Sequence, residues 1–158
     1  MNAAVTLLLA FCIGVVAGLR TFTAPAVTAW AARLGWIDLS ASPLPFMGSS
    51  LAVGIFTLLA VLELLIDQLP QTPARTTAAP LTGRVIMGVL TGMCITIAGG
   101  GSFWLGAFLG AVGAVAGAFG GYRARVGLVR DLHVPDFAIA IPEDLIAIGL
   151  GLVIVSRF

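Results

Sequence analysis

The stretch Gly18-Leu19-Arg20-Thr21-Phe22-Thr23-Ala24-Pro25 places an arginine and two threonines directly after an apolar run. The chain around it is strongly apolar: 59% of its 158 residues are hydrophobic, 9% are charged, and none of its eight basic residues is lysine. A charge at the centre of a membrane helix costs roughly 2.5–3.5 kcal/mol unless it is paired or hydrated. The charges that this chain keeps are therefore the first candidates for a functional role.

Five apolar runs set the fold class. A membrane-spanning helix needs about 20 residues, with a range of about 17–25. The runs reach or approach that length at residues 3–19, 51–66, 85–98, 103–119 and 137–155. We therefore predict an all-α, polytopic membrane protein with about five transmembrane helices, in a single membrane domain over residues 1–158, whose partner is the lipid bilayer. The net charge of +1 does not suit nucleic-acid binding, which needs a basic stripe.

A sixth, shorter helix is predicted after the opening stretch. Thr23 is a suitable N-cap, Pro25 suits a first helical turn, and Gly35 suits a helix end, so a helix near 23–34 is expected. It is too short to span, and two interpretations stay open. It lies flat in the interface, or it re-enters the membrane with its N-terminus beside Arg20, where it would form an anion site.

A faint repeat links two glycine motifs. Gly14-Val-Val-Ala-Gly18 and Gly113-Ala-Val-Ala-Gly117 agree at four of five positions, and each is followed by an arginine, Arg20 or Arg123. In a five-span arrangement the two motifs lie on helices of opposite direction, which predicts an inverted-topology repeat. The halves would be residues 1–78 and 99–158, with residues 81–98 as the connecting helix.

The fourth apolar run carries glycines three or four residues apart, which places them on one stripe of a helix. Small residues at this spacing let helices approach closely in lipid. The stripe serves packing within the chain, or it forms a face for a homo-oligomer through Gly106, Gly110, Gly113 and Gly117.

The arginines predict an orientation. With five spans, the N-terminus shares a face with the loops at 67–83 and 120–136, and that face holds Arg75, Arg84, Arg123, Arg125 and Arg130. Basic loops face the cytoplasm, so a cytoplasmic N-terminus is expected. The same arrangement puts Arg20 and Glu63 on opposite faces, unless the short helix re-enters.

The acidic residues form two groups. Glu63 and Asp67 lie four residues apart, on one helix face, and Glu63 is the acid most clearly inside an apolar run. It is a proton or cation site, or it reaches water or pairs with one of the arginines Arg75, Arg84 and Arg123. Glu143 and Asp144 follow Pro142, and acids in a first helical turn favour the interpretation that they cap the fifth span.

No cofactor or metal is predicted, because Cys12 and Cys94 are isolated within apolar runs with no histidine nearby. The chain also lacks a P-loop, a paired HxxxH and a nucleophile elbow, so no catalytic residues are nominated and an enzyme is not the favoured class.

Several motifs resemble one known family. They are Gly18–Pro25, Ala31-Ala-Arg-Leu-Gly35, Glu63-Leu-Leu-Ile-Asp67-Gln-Leu-Pro70 and Thr72-Pro-Ala-Arg75. They resemble a bacterial family of small integral-membrane proteins known as domain of unknown function 4126. The resemblance implies a protein of the bacterial inner membrane and implies no activity. Gln68 stands where family members often have lysine.

Two function classes follow. The first is a small transporter or translocase for an anionic solute or a lipid head group, coupled to protons or cations. Its binding residues would be Arg20, Thr21, Thr23, Glu63, Asp67, Arg75, Arg123, Glu143 and Asp144. The alternative is a non-catalytic membrane scaffold or accessory subunit, whose charges serve topology and assembly.

Overall fold

The computed structural model describes residues 1–66, 76–133 and 135–158, with Asp136 and Phe137 described by their backbone alone. Within this part of the chain the regular elements are all helical. They are α1 (Ala3–Leu19), α2 (Thr23–Arg33), a 3-10 turn (Pro45–Gly48), α3 (Ser50–Ile66), α4 (Ala78–Ala98), α5 (Phe103–Leu132) and α6 (Asp136–Val155). The predicted all-α class, with five apolar helices and one short helix, is confirmed.

Three helices are long and apolar enough to cross a membrane: α4, α5 and residues 138–155 of α6. Two more, α1 and α3, are apolar helices of 17 residues. With 30 residues α5 is about 45 Å long, at 1.5 Å per residue, whereas the hydrocarbon layer is about 30 Å thick. α5 is therefore longer than the apolar layer is thick.

Helices α1, α4 and α5 form the core of the bundle, which we call the glycine core. Gly110 of α5 approaches both neighbours so closely that an added Cβ would overlap the carbonyl oxygen of Gly88 on α4. A Cβ on Gly14 of α1 would in turn overlap the carbonyl oxygen of Gly110. Backbones in contact at this distance maximise van der Waals packing, which is what associates helices in lipid.

The glycine stripe on α5 is buried by this packing. All four of its glycines nominated for an oligomer face are buried inside the chain: Gly106, Gly110, Gly113 and Gly117. Packing within the chain is the alternative that the structure confirms. A second copy cannot use this stripe while α1 and α4 cover it.

Helices α1 and α5 run in the same direction. Gly14 of α1 lies against Gly110, and one turn later Gly18 lies against Gly117. The opposite directions expected for the two glycine motifs are therefore wrong, and the motifs instead pack side by side in parallel. The cause is α2, which adds a sixth segment to the count. The division into halves at 1–78 and 99–158 stays a prediction.

The short helix α2 turns back into the bundle. It runs in the same direction as α6, because Arg20 lies beside Asp144 and Val27 beside Gly151. α6 follows α5 after a short connection and runs antiparallel to it, and α5 is parallel to α1. α2 is consequently antiparallel to α1. Eight of its eleven residues are buried, so it re-enters the bundle and does not lie flat on its surface.

Helix α3 lies at the edge of the bundle. Ala52 and Val53 are its only buried residues, and it packs antiparallel to α2. The Trp30 indole donates a hydrogen bond to the Thr57 hydroxyl at 3.0 Å, near the middle of this pair. One side of α3 therefore contacts the protein, and most of its apolar surface is exposed.

These directions define two ends of the bundle. At the hairpin end α1 ends, α2 begins, α3 ends and α4 begins; at the terminal end α1 begins and α6 ends. The N-terminus thus lies opposite the ends of α3 and α5, so grouping it with the loops at 67–83 and 120–136 was wrong. Among the described arginines, the hairpin end holds Arg20, Arg84, Arg123, Arg125 and Arg130, and the terminal end holds Arg33 and Arg157.

Candidate functional site

Six ionisable side chains meet at the hairpin end, and we call them the charge cluster. None of these side chains is more than 12% exposed. They form three ion pairs, Arg20 with Asp144, Arg84 with Glu63, and Arg125 with Glu143. Three cations and three anions leave the cluster formally neutral, which is how buried charges become tolerable.

Arg84 caps the C-terminus of α1. One of its terminal nitrogens donates hydrogen bonds to the carbonyl oxygens of Gly18 and Leu19, at 2.8 and 2.7 Å. The last carbonyls of a helix have no partner within the helix, and the helix dipole favours a cation there. A guanidinium reaching across from α4 therefore satisfies the end of α1 inside the bundle.

Glu63 caps the N-terminus of α2. Its two carboxylate oxygens accept hydrogen bonds from the backbone N–H groups of Thr21 and Phe22, at 2.7 and 2.8 Å. The other terminal nitrogen of Arg84 lies 3.7 Å from the same carboxylate. The pairing of Glu63 with Arg84, one of the alternatives from the sequence, is confirmed. We call the two N–H groups and Arg84 the anion cradle.

Arg20 and Asp144 form the most buried pair. The Arg20 Nε lies 2.5 Å from an Asp144 carboxylate oxygen, and the Arg20 side chain is 1% exposed. α6 begins at Asp136, six residues before Pro142, so Asp144 lies in its third turn. The predicted capping role of Glu143 and Asp144 is therefore wrong. Both acids bind arginines of other segments, because Pro142 lies inside α6 and does not begin it.

The structure brings together five of the predicted site residues: Arg20, Thr21, Glu63, Glu143 and Asp144. Re-entry of α2 removes the expected separation of Arg20 from Glu63. The prediction that Thr23 is the N-cap of the short helix is wrong: Thr23 is buried as the first residue of α2, and the N-cap is Phe22, because the N-terminus of α2 is capped by Glu63 from another helix.

The other predicted residues do not join the cluster in the described part of the chain. Arg123 is exposed on α5, whereas Asp67 and Arg75 lie outside the described residues.

Two members of the cluster, Arg84 and Arg125, were not nominated from the sequence. Arg84 was counted with the charges next to the 67–83 loop and considered only as a partner of Glu63; α4 in fact begins at Ala78, six residues before it. Arg125 was assigned to the loop after the fourth span, but α5 continues to Leu132. Had both helices been predicted at their full lengths, each arginine would have been placed on a helix next to an apolar run, and both would have been candidates for the site.

The described residues contain no group of three histidine, cysteine, aspartate or glutamate side chains that could hold a metal ion. The charge cluster itself consists of carboxylates and guanidinium groups. The anion cradle has the donors that a carboxylate or phosphate needs. Its occupant in this structure is the Glu63 carboxylate.

The fold and the cluster define a polytopic, all-α protein of membrane type, with a neutral set of buried charges at a helical hairpin. The chain matches the family described as Domain of unknown function (DUF4126) over residues 7–156, and it belongs to that family. The resemblance seen in its motifs is thereby confirmed. No curated protein and no solved structure matches the chain.

Proposed function

We propose that this protein is a small transporter or translocase for an anionic solute or a lipid head group, coupled to protons through Glu63. The observation that supports this most is the position of Glu63, whose carboxylate accepts hydrogen bonds from the backbone N–H groups of Thr21 and Phe22. An anion-binding position inside an apolar bundle is thus filled by a side chain that can be displaced.

Coupling follows from competition for the cradle. An incoming phosphate or carboxylate needs the same N–H donors and the same Arg84 that hold Glu63. Protonation of Glu63 removes its charge and weakens its bonds to these donors. The protonated acid then leaves and an anion takes its place, so a proton and an anion move together.

Helix α3 is the element that would move. It carries Glu63 near its C-terminus and buries two residues in total, whereas α1, α4 and α5 are packed backbone to backbone. Elements with few buried contacts open at the lowest free-energy cost. A shift of α3 along α2 would withdraw Glu63 and leave the glycine core unchanged.

The distribution of the arginines favours one orientation of the protein in the membrane. Five described arginines at the hairpin end against two at the terminal end favour a cytoplasmic hairpin end. Both termini would then face outward from the bacterial inner membrane, the reverse of the orientation expected for the N-terminus from five spans. A green fluorescent protein fused after Phe158 is expected to stay dark, and bright cells would refute this orientation.

Vesicles reconstituted with the purified protein test the proposal. Inorganic phosphate or acetate is added outside, and an enclosed dye reports the internal pH; labelled phosphatidylglycerol in one leaflet reports head-group movement. We expect one of these probes to move with protons in the wild type. Glu63→Gln should abolish the proton movement, because the amide cannot carry the proton.

Asp38→Asn serves as the matched control, since Asp38 is an exposed acid in the loop after α2. It should leave the movement unchanged. Wild-type vesicles that behave like empty ones for every probe would contradict the proposal, and so would proton movement that survives Glu63→Gln.

The alternative function, a scaffold or accessory subunit, is favoured by the neutrality of the charge cluster, in which each acid binds an arginine of another helix. Such a network can serve assembly alone. In that case the wild type moves no probe, while Glu63→Gln still lowers the unfolding temperature. The two functions thus differ in the vesicle measurement and agree in the stability measurement.

A further inference from the structure

An approximate two-fold axis relates α1 to α5. Two reciprocal pairs of close backbone contacts show it: Gly14 with Gly110 and Gly113 with Phe11, then Gly18 with Ala114 and Gly117 with Val15. In each pair, 99 added to the α1 residue of one contact gives the α5 residue of the other. Contacts that repeat with their partners exchanged are what a two-fold axis produces. Position n of α1 therefore corresponds to position n + 99 of α5.

The two helices differ where this correspondence reaches the end of α1. Helix α1 ends at Leu19, and its backbone turns back at Arg20 and Thr21. The corresponding residues of α5 are 119 and 120, and there the helix continues to Leu132. The same structural position is thus a break in one helix and part of a continuous helix in the other.

Two adjacent glycines, Gly120 and Gly121, lie at this position of α5. A Cβ added to Gly120 would meet nothing within 4 Å, so packing does not require a glycine there. A glycine inside a helix lowers the stability of that helix, and pairs of glycines are among the places where helices kink. Helix α5 is therefore weakened where its counterpart α1 is broken.

The part of α5 after the glycine pair, residues 122–132, has few internal contacts, and we call it the α5 arm. The buried residues of α5 end at Ala118, and every residue of the arm is partly buried or exposed. A cleft of about 240 Å³ lies between the arm and α6. Segments with few buried contacts move at the lowest free-energy cost. The arm can therefore move without disturbing the glycine core.

One ion pair joins the arm to α6 across the cleft. Arg125 of the arm lies 3.5 Å from the Glu143 carboxylate. Pro142, next to Glu143, lines the same cleft and cannot donate the helical hydrogen bond to residue 138. Among the described residues of α6 before Pro142, Ala140 alone is buried. The start of α6 is therefore also weakly held at this level.

The cleft leads from the outside of the bundle toward the buried charges. Leu19, the last residue of α1, lines it together with Arg125 and Glu143. The next residue in the chain is Arg20, which is fully buried in its pair with Asp144. The arm thus covers the charge cluster on the side of α5.

We propose that the α5 arm is a hinged lid over the charge cluster. It bends away from α6 at Gly120 and Gly121, the Arg125–Glu143 pair separates, and the cleft widens toward Leu19. Both charges of the separated pair then meet water, so neither stays buried without a partner. The proposal concerns access to the cluster and not what the cluster binds, so it does not depend on the proposed transport function.

Double electron–electron resonance between spin labels tests the hinge in the full chain. The labels are attached at Leu132→Cys on the arm and Leu150→Cys on α6, both exposed positions, after Cys12→Ala and Cys94→Ala. A kink of about 20° moves the end of an arm of about 18 Å by roughly 6 Å. We therefore expect two label distances that differ by about 6 Å or more.

Gly120→Ala should reduce the population with the displaced arm about two- to fivefold, because alanine strengthens the helix at the hinge. Gly127→Ala is the matched control: it makes the same change on the same helix, also with nothing within 4 Å, but beyond the hinge. It should leave the distances unchanged. A single narrow distance in the unsubstituted hinge would overturn the proposal, and so would a displaced population that Gly120→Ala does not reduce.

A second pair of variants tests the ion pair that joins the arm to α6. Glu143→Gln should increase the displaced population, because it weakens the link to Arg125. Asp131→Asn is the control, since Asp131 pairs with Arg130 inside the arm and both side chains are exposed. Equal effects of the two variants, or no effect of Glu143→Gln, would contradict a lid held by this pair.

Discussion

The glycine core and the charge cluster hold the bundle together by different interactions. In the core, α1, α4 and α5 touch through backbone atoms at Gly14, Gly88 and Gly110, and no charge is involved. In the cluster, Arg84 of α4 binds the C-terminus of α1, and Glu63 of α3 binds the N-terminus of α2. The core consists of backbone contacts, and the cluster consists of hydrogen bonds and ion pairs between side chains and helix ends.

This difference teaches where change can occur in the bundle. Close-packed backbones are not continuously deformable, since a shift of a few tenths of an ångström already produces overlap. Hydrogen bonds to a carboxylate can pass to another anion when the acid is protonated. We therefore expect change at the charge cluster and not in the glycine core, and α3, which carries Glu63, lies outside that core.

The largest expected effect lies in the cluster, at Arg84. Arg84→Met should lower the free energy of unfolding by about 3–5 kcal/mol, because it leaves Glu63 buried without its cation and exposes the α1 carbonyls to an apolar site. The measurement is reversible unfolding in mixed detergent. Arg33→Met, at an exposed arginine, is the control, and equal losses for both variants would contradict the role given to Arg84.

The next effect lies in the core. Gly110→Ala should lower the free energy of unfolding by about 1–3 kcal/mol, since the new Cβ overlaps the Gly88 backbone, which cannot move aside. Gly120→Ala makes the same chemical change on the same helix with nothing within 4 Å. It should be neutral or stabilise by up to about 1 kcal/mol. A milder loss at Gly110 than at Gly120 would mean that the core is not close-packed.

A smaller effect is expected where α3 meets α2. Trp30→Phe removes the hydrogen bond to Thr57 and should cost about 0.5–1.5 kcal/mol. Hydrogen exchange should accelerate in α3 and stay unchanged in α4 and α5. Trp36→Phe, in the exposed loop after α2, is the control. Uniform acceleration across all helices would show that α3 does not open separately.

The smallest effect concerns Asp38, at the terminal end. Hydrogen bonds from the Ser40 hydroxyl and backbone N–H, at 2.6 and 2.9 Å, hold the pKa of Asp38 below its ordinary value. A lowered pKa in the folded state contributes stability above the unfolded pKa, and this contribution is lost as the pH falls through the folded pKa.

Ser40→Ala should accordingly raise the pKa of Asp38 toward its ordinary value, as followed by NMR titration of the carboxyl carbon. Ser42→Ala is the control, because the Ser42 hydroxyl donates to the Leu39 carbonyl oxygen. An unchanged Asp38 pKa in Ser40→Ala would rule out the hydrogen bonds as its cause.

Much of the fold could be predicted from local patterns. The end of the first helix at Leu19 and a short helix near 23–34 agree with the structure, because apolar runs and helix-breaking residues are local properties, although the N-cap is Phe22 and not Thr23. The length of α5 was underestimated, since its last third is polar and was assigned to a loop. Arg84 was considered as a partner of Glu63 but was not nominated as a site residue, because its hydrogen bonds to the α1 carbonyls depend on how α1 packs against α4.

The charge cluster could be predicted in part. Arg20, Glu63 and Asp144 stood out because each is an ionisable group in or next to an apolar run. Arg84 was one of three arginines considered for Glu63, but no single pairing could be assigned, because the pairs join residues that are 18 to 124 positions apart, from Arg125–Glu143 to Arg20–Asp144. Pairing at such separations depends on helix direction, and a wrong direction for one short segment reverses every face that follows it.

By itself, the sequence determined the membrane class, the number of helices and the list of costly charges, since apolar length and composition act residue by residue. The tertiary structure alone decided that Gly18–Pro25 connects two antiparallel helices inside the bundle and does not lead into a helix on its surface. It also decided that the two glycine motifs pack in parallel, and that a carboxylate from α3 caps the N-terminus of α2. The physical reason is that backbone donors and acceptors buried at a helix break must find partners, and those partners come from wherever the packing of the other helices brings them.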